Sequence, residues 1–361
     1  MKQMTPHLLR TALLAGALAL SGCAHVGPRT IPVDRFDYSK AIADSWKEQT
    51  LLNIVKLRYM DLPVFVDVSS IVSGYSLQTT GNIGGTVSSE AAIQGNFLSA
   101  GAGAVYTDRP TITYVPMTGE KFLRSLFTPI DPKNVFFLLQ SGYPADFVLG
   151  LTVESLNGVR NRSAAAGVVR EADPDFLTAI RLIREVQAAG AVGMRVHENK
   201  ATGATGVIFF RGDDMPADIA VKTTEIRRLL RLRADQQQFT LIYSPARGAD
   251  GELAVNSRSM LQILGTMASY IEVPAEHEKA RSATPGIARA PGDSAPEVVR
   301  IRSGKEQPTT AYVSVKYRGY WFWIDDDDYR TKRAMTAIMV FFTLTDTGGN
   351  ERLPLVTIPA Q

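Results

Sequence analysis

The densest cluster of chemically useful side chains is acidic. Asp325, Asp326, Asp327 and Asp328 stand in one run, and adjacent carboxylates could bind Ca²⁺ or divide into a general acid and a general base. A calcium loop, however, spaces its oxygens and turns on a glycine, whereas these four are contiguous. The run therefore reads as a turn between strand and helix, with Asp327 or Asp328 capping the positive helix end. His197-Glu198 and His277-Glu278 begin like H-E-x-x-H, but the fifth positions are Ala201 and Arg281, which cannot complete a pair of ligands. His25, His197 and His277 read as solvated side chains. There is no G-x-S-x-G elbow. Gly101 and Gly103 have Tyr106 where a dinucleotide fingerprint needs glycine, and Gly304-Lys305 is followed by Glu306, not Ser or Thr. No catalytic residue, metal or cofactor is assigned.

Two groups suit binding. Tyr317, Tyr320, Trp321, Phe322 and Trp323 surround an Arg318-Gly319 turn, and strand alternation places Trp321 and Trp323 on one face and Tyr320 and Phe322 on the other. With one face in the core, the other can stack on sugar rings or a partner, although cross-strand packing explains the same residues. Arg227, Arg228, Arg231 and Arg233 lie on a helix whose inner side carries Ile226, Leu229 and Leu230. That cluster could meet anionic lipid heads or an acidic partner, or be a solvated helix face.

A third feature is compositional. Residues 79–104 are rich in Gly, Ser, Ala and Thr. Leu98, Ala100, Ala102, Ala104 and Tyr106 alternate with Ser99, Gly101 and Gly103, so an extended hairpin within an assembled barrel is conceivable. The faces are small and the alternation weak, and a flexible surface loop is the preferred expectation.

The N-terminus is the clearest signal. Lys2 and Arg10 flank a short charged region, and an apolar run from Thr11 to Leu20 ends in Leu20-Ser21-Gly22-Cys23. The run of about ten residues is too short to cross a ~30 Å hydrocarbon core but suits the centre of a signal peptide. The segment resembles the lipobox of bacterial lipoprotein precursors. That resemblance covers the first 23 residues and implies cleavage before Cys23, thioether diacylglycerol on its sulfur and acylation of the new amino group. Two or more acyl chains give stable anchoring where one gives marginal binding. Ala24 follows the cysteine in place of the Asp of an inner-membrane retention signal, which by the family's sorting rule implies the periplasmic face of the outer membrane. Cys23 is the only cysteine, which excludes an internal disulfide and any multi-cysteine metal site.

The chain has 39 basic and 36 acidic residues, a net charge of +3. Removing Lys2 and Arg10 leaves about +1, a balance that argues against bulk nucleic-acid binding. Around these features the sequence predicts an α+β fold: a signal peptide over 1–22, a lipidated tether over 23–37, an N-terminal α+β domain over 38–165, and two α-β-β-α-β units over 172–245 and 257–361. The first helix is expected over 38–60, capped by Asp37 or Ser39, with Ile42, Trp46, Leu52, Val55 and Tyr59 as its apolar stripe. A disordered insertion is expected over 274–308, where Pro, Ala, Gly, Ser and charge replace apolar periodicity. In element order alone, α-β-β-α-β resembles the ring-building modules of envelope secretion systems. The expected function is that of a non-enzymatic envelope scaffold or interaction module, ring-forming in that resemblance, held to a membrane through Cys23 and contacting an envelope protein or further copies of itself. An envelope-bound carboxylate enzyme and a cell-wall glycan-binding module are the alternatives.

Overall fold

The computed structural model describes residues 26–72, 75–86, 97–108, 110–163, 169–199, 203–211, 215–287 and 299–345, and their fold is α+β. Cys23, His25 and residues 346–361 of the second expected unit lie outside the described residues. The chain divides into two units, one of residues up to Ser45 with Val66–Pro116, the other of Trp46–Phe65 with the residues from Met117 onward.

Helix α1 (Val26–Arg58) corrects the expected tether, because residues 26–37 are already helical. Pro28 sits in the first turn, where a missing N–H forfeits no intrahelical bond, and Pro32 is accommodated inside the helix. Asp37 and Ser39 are therefore interior positions and cap nothing. The buried stripe in the second unit is Leu51, Ile54, Val55 and Tyr59, with the polar Thr50, Asn53 and Arg58 beside them, while Leu52 is only half-buried. Asn53 holds the exit from the helix: its Nδ2 donates to the Val64 carbonyl at 2.8 Å and its Oδ1 accepts from the Val64 N–H at 2.9 Å.

The first unit is dominated by a β-ribbon. β1 (Phe65–Val72) pairs with β4 (Thr111–Met117), and β2 (Tyr75–Thr86) pairs antiparallel with β3 (Phe97–Asp108). The β2–β3 register runs unbroken from Tyr75 opposite Asp108 to Thr86 opposite Phe97. The expectation of a flexible loop over 79–104 is thus overturned for its described residues, which are ladder throughout. Backbone pairing between the two strands needs no large side chains, so a run of Gly, Ala, Ser and Thr can form regular strand while giving little hydrophobic signal.

The second unit holds helices α2 (Gly119–Phe127), α3 (Pro132–Gln140) and α4 (Ala145–Thr152), then a six-stranded sheet in the order β6-β5-β10-β9-β8-β7. Its strands are β5 (Val153–Leu156), β6 (Val159–Arg160), β7 (Val192–Asn199), β8 (Gly203–Phe210), β9 (Gln238–Tyr243) and β10 (Glu252–Ser257). With α5 (Pro174–Ala188) and α6 (Ala217–Leu229), the order α5-β7-β8-α6-β9 is the first expected α-β-β-α-β unit. That unit is not closed at residue 245. β10 adds to β9 in parallel and to β5 antiparallel, so segments assigned to separate domains share one sheet.

Of the second such unit the described residues hold α7 (Met260–Ala268), β12 (Val313–Tyr317), β13 (Tyr320–Ile324) and α9 (Tyr329–Thr345), its first four elements. The insertion between them corrects the disorder expected over 274–308. Residues 275–279 form α8 (Ala275–Lys279), and β11 (Arg302–Gly304) joins β13. The reason is a pair of anchors: Val299 and Ile301 are buried in the core, and Ile301 bridges Ile271. Residues 288–298 lie outside the described residues.

One buried cation ties the second unit together. Arg258 is 1% exposed, and its Nε lies 3.0 Å from Glu154 Oε2. Its Nη1 donates to the Leu151 carbonyl at 3.1 Å and the Gly150 carbonyl at 3.3 Å, and Nη2 donates to the Arg162 carbonyl. Asn161 Nδ2 also donates to Gly150, at 2.8 Å, and to Val153, at 2.7 Å. These donors satisfy carbonyls that the end of α4 leaves without helical partners, and a cation there complements the negative end of the helix dipole. The helix ends at Thr152, and β5 begins at Val153. Burial pulls the Arg258 guanidinium below its ordinary pKa, while Glu154 pulls it up. Arg258→Ala is expected to destabilise the protein by about 3–5 kcal/mol in urea unfolding, because Glu154 and several carbonyls lose their partner. The pair Arg258→Met with Glu154→Gln is expected to cost less than Arg258→Met alone. Equal losses would remove the buried charge as the cause.

Candidate functional site

The aromatic hairpin is built from β12 and β13, joined at Arg318-Gly319. Both turn residues have positive φ, 46° and 83°, the geometry of a type I′ turn that matches strand twist. The register sets Val313 opposite Ile324 and Val315 opposite Phe322, and these four are buried. The alternate face carries Trp321 between Gly304 and Lys316, and Trp323 between Arg302 and Ser314. Both tryptophans are half-buried, so they form part of the sheet surface and not of the core.

Close packing fixes that surface. A Cβ on Gly304 would stand 3.2 Å from Trp323 Cη2, so the indole lies against bare backbone. Trp323 Nε1 donates to Asp325 Oδ1 at 2.9 Å, and Arg302 Nε pairs with Asp325 Oδ2 at 2.7 Å. Lys316 Nζ stands 6.0 Å from the centre of the Trp321 ring. The result is two indoles bordered by one lysine and one neutralised arginine, a surface able to stack planar or sugar rings while offering hydrogen bonds at its edge.

The acidic run has no shared centre. Asp325 serves Arg302 and Trp323, and Asp326 pairs with Lys332 at 2.7 Å. Asp328 Oδ1 accepts from the Arg330 and Thr331 N–H groups, each at 3.1 Å, as a helix cap should. Among the described residues no three His, Cys, Asp or Glu side chains gather where they could hold a metal.

The arginines do not form the expected cluster. α6 ends at Leu229, and Arg231 lies beyond it with φ +54°. Arg228 forms two hydrogen bonds with Glu225, at 2.7 and 2.6 Å, and Arg233 pairs with Asp235 at 2.6 Å. Arg227 is half-buried, with its guanidinium carbon 5.5 Å from the centre of the Phe210 ring, and burial lowers its pKa. Local acids and one aromatic ring divide what the sequence groups together.

The inward side of the hairpin meets a constellation that sequence reasoning missed. Tyr59 Oη lies 2.8 Å from His277 Nδ1, and the two rings meet edge to face at 5.5 Å. His277 is therefore not the solvated residue of a disordered insertion; α8 seats it against the core, half-buried. Tyr317 donates to Asp61, which also pairs with Arg318 at 3.0 Å, and Tyr320 donates to Glu276. The Arg318 guanidinium lies 4.9 Å from the centre of the Tyr59 ring. Only the abundance of tyrosine near 317–320 hinted at this. Asp61 and His277 are far from the hairpin in sequence, and no motif links them.

No family model, curated protein or solved structure matches this chain. The reading of these groups rests on their own geometry.

Burial pushes the Tyr59 hydroxyl up to about 12, against the pull of Arg318 and Arg58. Hydrogen bonding from Tyr317, with Arg318 beside it, holds Asp61 below its ordinary carboxylate pKa. Tyr59, only 5% exposed, is thus kept protonated as a structural donor or acceptor to His277. A tyrosine whose folded pKa is raised adds stability that is complete below pH ~10 and is lost as pH rises toward about 12. Tyr59→Phe is expected to cost about 1 kcal/mol at pH 7 and to flatten the alkaline fall in stability between pH ~10 and 12. An unchanged alkaline profile, followed by urea unfolding at each pH, would refute the assignment.

Proposed function

We propose that this chain is a lipid-anchored envelope protein that acts as a non-enzymatic scaffold by associating with further copies of itself. The observation that carries this reading is the β2–β3 ribbon. It is a long, regular ladder with two outer edges, and among the described residues no third strand pairs with either. Exposed edges of this kind are templates for pairing with another chain, and soluble proteins ordinarily block them with charge, proline or a bulge. Residues 75–86 and 97–107 contain no charged residue and no proline.

The lipobox supports the location. Acyl chains on Cys23 would confine copies to a surface, and confinement raises the effective concentration that promotes weak edge-to-edge contacts. The expected order α-β-β-α-β, seen in residues 174–243, fits a body that packs beside its neighbours, as in the ring-building modules it resembles.

A second reading is favoured by Trp321 and Trp323. Their surface suits ring stacking, and a periplasmic anchor would place the protein in the compartment that holds the cell wall. The two readings are compatible, since one uses the ribbon and the other the sheet face around β13.

Fatty-acid labelling and membrane fractionation test the anchor. Cys23→Ala is expected to lose label and leave the membrane fraction, while wild type extracted in detergent runs as a discrete oligomer. Unchanged labelling refutes the anchor, and a monomer refutes the scaffold. For the glycan reading, retention on purified peptidoglycan is expected to fall at least tenfold in Trp321→Ala and Trp323→Ala. Retention equal to wild type rules that role out.

A further inference from the structure

We propose that the β2–β3 hairpin of each copy supplies two strands of a transmembrane β-barrel, closed by neighbouring copies of this chain. The inference rests on the reading of the protein as an anchored, self-associating envelope scaffold, and names what the association builds.

The register divides the ladder into two unlike faces. Residues directly opposite across an antiparallel ladder share a face, and neighbours along a strand alternate. With Leu77 opposite Tyr106 and Ile83 opposite Ala100, one face takes Leu77, Ile83, Leu98, Ala100, Ala102 and Tyr106. The other takes Ser76, Gln78, Thr80, Asn82, Ser99 and Thr107. Thr79 and, at the ladder's end, Asp108 interrupt the first set, and Val105 and Phe97 interrupt the second, but the contrast holds along the interior of the ladder. This is the apolar-outside, polar-inside pattern of strands that enclose a lumen in lipid.

Charge and length agree with it. In a chain that is 21% charged, residues 75–86 and 97–107 carry no charge, and Asp108 stands at the end of the ladder beside Tyr75. Each strand has 12 residues. At about 3.4 Å per residue and a tilt of roughly 45°, such a strand rises about 25–30 Å, the height of an outer-membrane apolar band. Tyr75 and Tyr106 fall on the apolar face near one end of the ladder, where a barrel places an aromatic girdle.

The open edges supply the need for other copies. Within hydrocarbon every backbone N–H and C=O must be paired inside the protein, so an isolated two-stranded ribbon cannot enter lipid and a closed ring of strands can. Closed barrels begin at about eight strands, which at two per copy requires about four copies or more. Among the described residues no helix is long and apolar enough to cross a membrane, a fact that does not bear on paired strands.

The test uses the full lipidated chain, extracted in detergent and reconstituted into vesicles of phosphatidylethanolamine and phosphatidylglycerol. Wild type is expected to release trapped dye and to give discrete conductance steps. Ala102→Arg, on the apolar face, is expected to reduce release at least tenfold, whereas Ala102→Leu keeps it. Asn82→Arg, on the polar face, is expected to keep release and shift the conductance toward anions. Equal effects of the two arginine variants would overturn the proposal. A detergent oligomer without conductance would also overturn it while leaving the scaffold reading in place, and a monomer would end both.

Discussion

Removing a guanidinium from water is among the costlier acts in folding, and it is tolerated at Arg258 because almost every donor finds a partner. The side chain spans the ion pair to Glu154, the last turn of α4 and the carbonyl of Arg162. Its own backbone joins in, since Arg258 N–H donates to Thr152 at 2.7 Å and its carbonyl accepts from Ile130 at 3.1 Å. Three stretches of chain therefore converge on one residue, about a hundred positions away from two of them. Asn157 makes a second such knot. It adopts φ +46°, donates through Nδ2 to Leu230 at 2.9 Å and exchanges hydrogen bonds with Ala254 at 2.8 Å. Polar groups buried in this way specify one arrangement of β5, β6 and β10, because a shifted register would strand them without partners.

The sequence revealed most where apolar periodicity was strong. The order of elements over 174–243 agrees with the α-β-β-α-β expectation. It revealed least where structure is held by backbone pairing or by distant partners. β10 was missed because Glu252–Ser257 is short and its two sheet neighbours come from opposite ends of the fold. The insertion over 274–308 looked polar because only Val299 and Ile301 anchor its far end. The β2–β3 ladder looked like a loop for the same reason that it forms: small residues give no hydrophobic stripe, yet they obstruct no pairing.

The candidate site was legible in part. Alternation correctly separated Trp321 and Trp323 from Phe322, because a hairpin with a tight turn leaves little freedom of register. Of the two readings of the arginines, the exposure of Arg228, Arg231 and Arg233 agrees with a solvated surface, because helical spacing reports who shares a face, but not which side chains find an acid nearby. Glu225 and Asp235 intercept Arg228 and Arg233. The Tyr59–His277 contact was beyond reach, since it joins the end of α1 to α8 across 218 positions.

The nesting of the two strand pairs has a consequence for the ribbon itself. Glycine and alanine ladders resist sliding poorly, because neighbouring registers bury almost the same surface, and a shift of one step would exchange the two faces. β1 and β4 flank β2 and β3 in the chain and pair with each other. β1 ends at Val72 before β2 starts at Tyr75, and β3 ends at Asp108 before β4 starts at Thr111, so the β1–β4 pairing holds together the two chain ends that enter the ladder and limits how far β2 can slide past β3. The segment least able to choose its own alignment thus inherits one from the segment beside it.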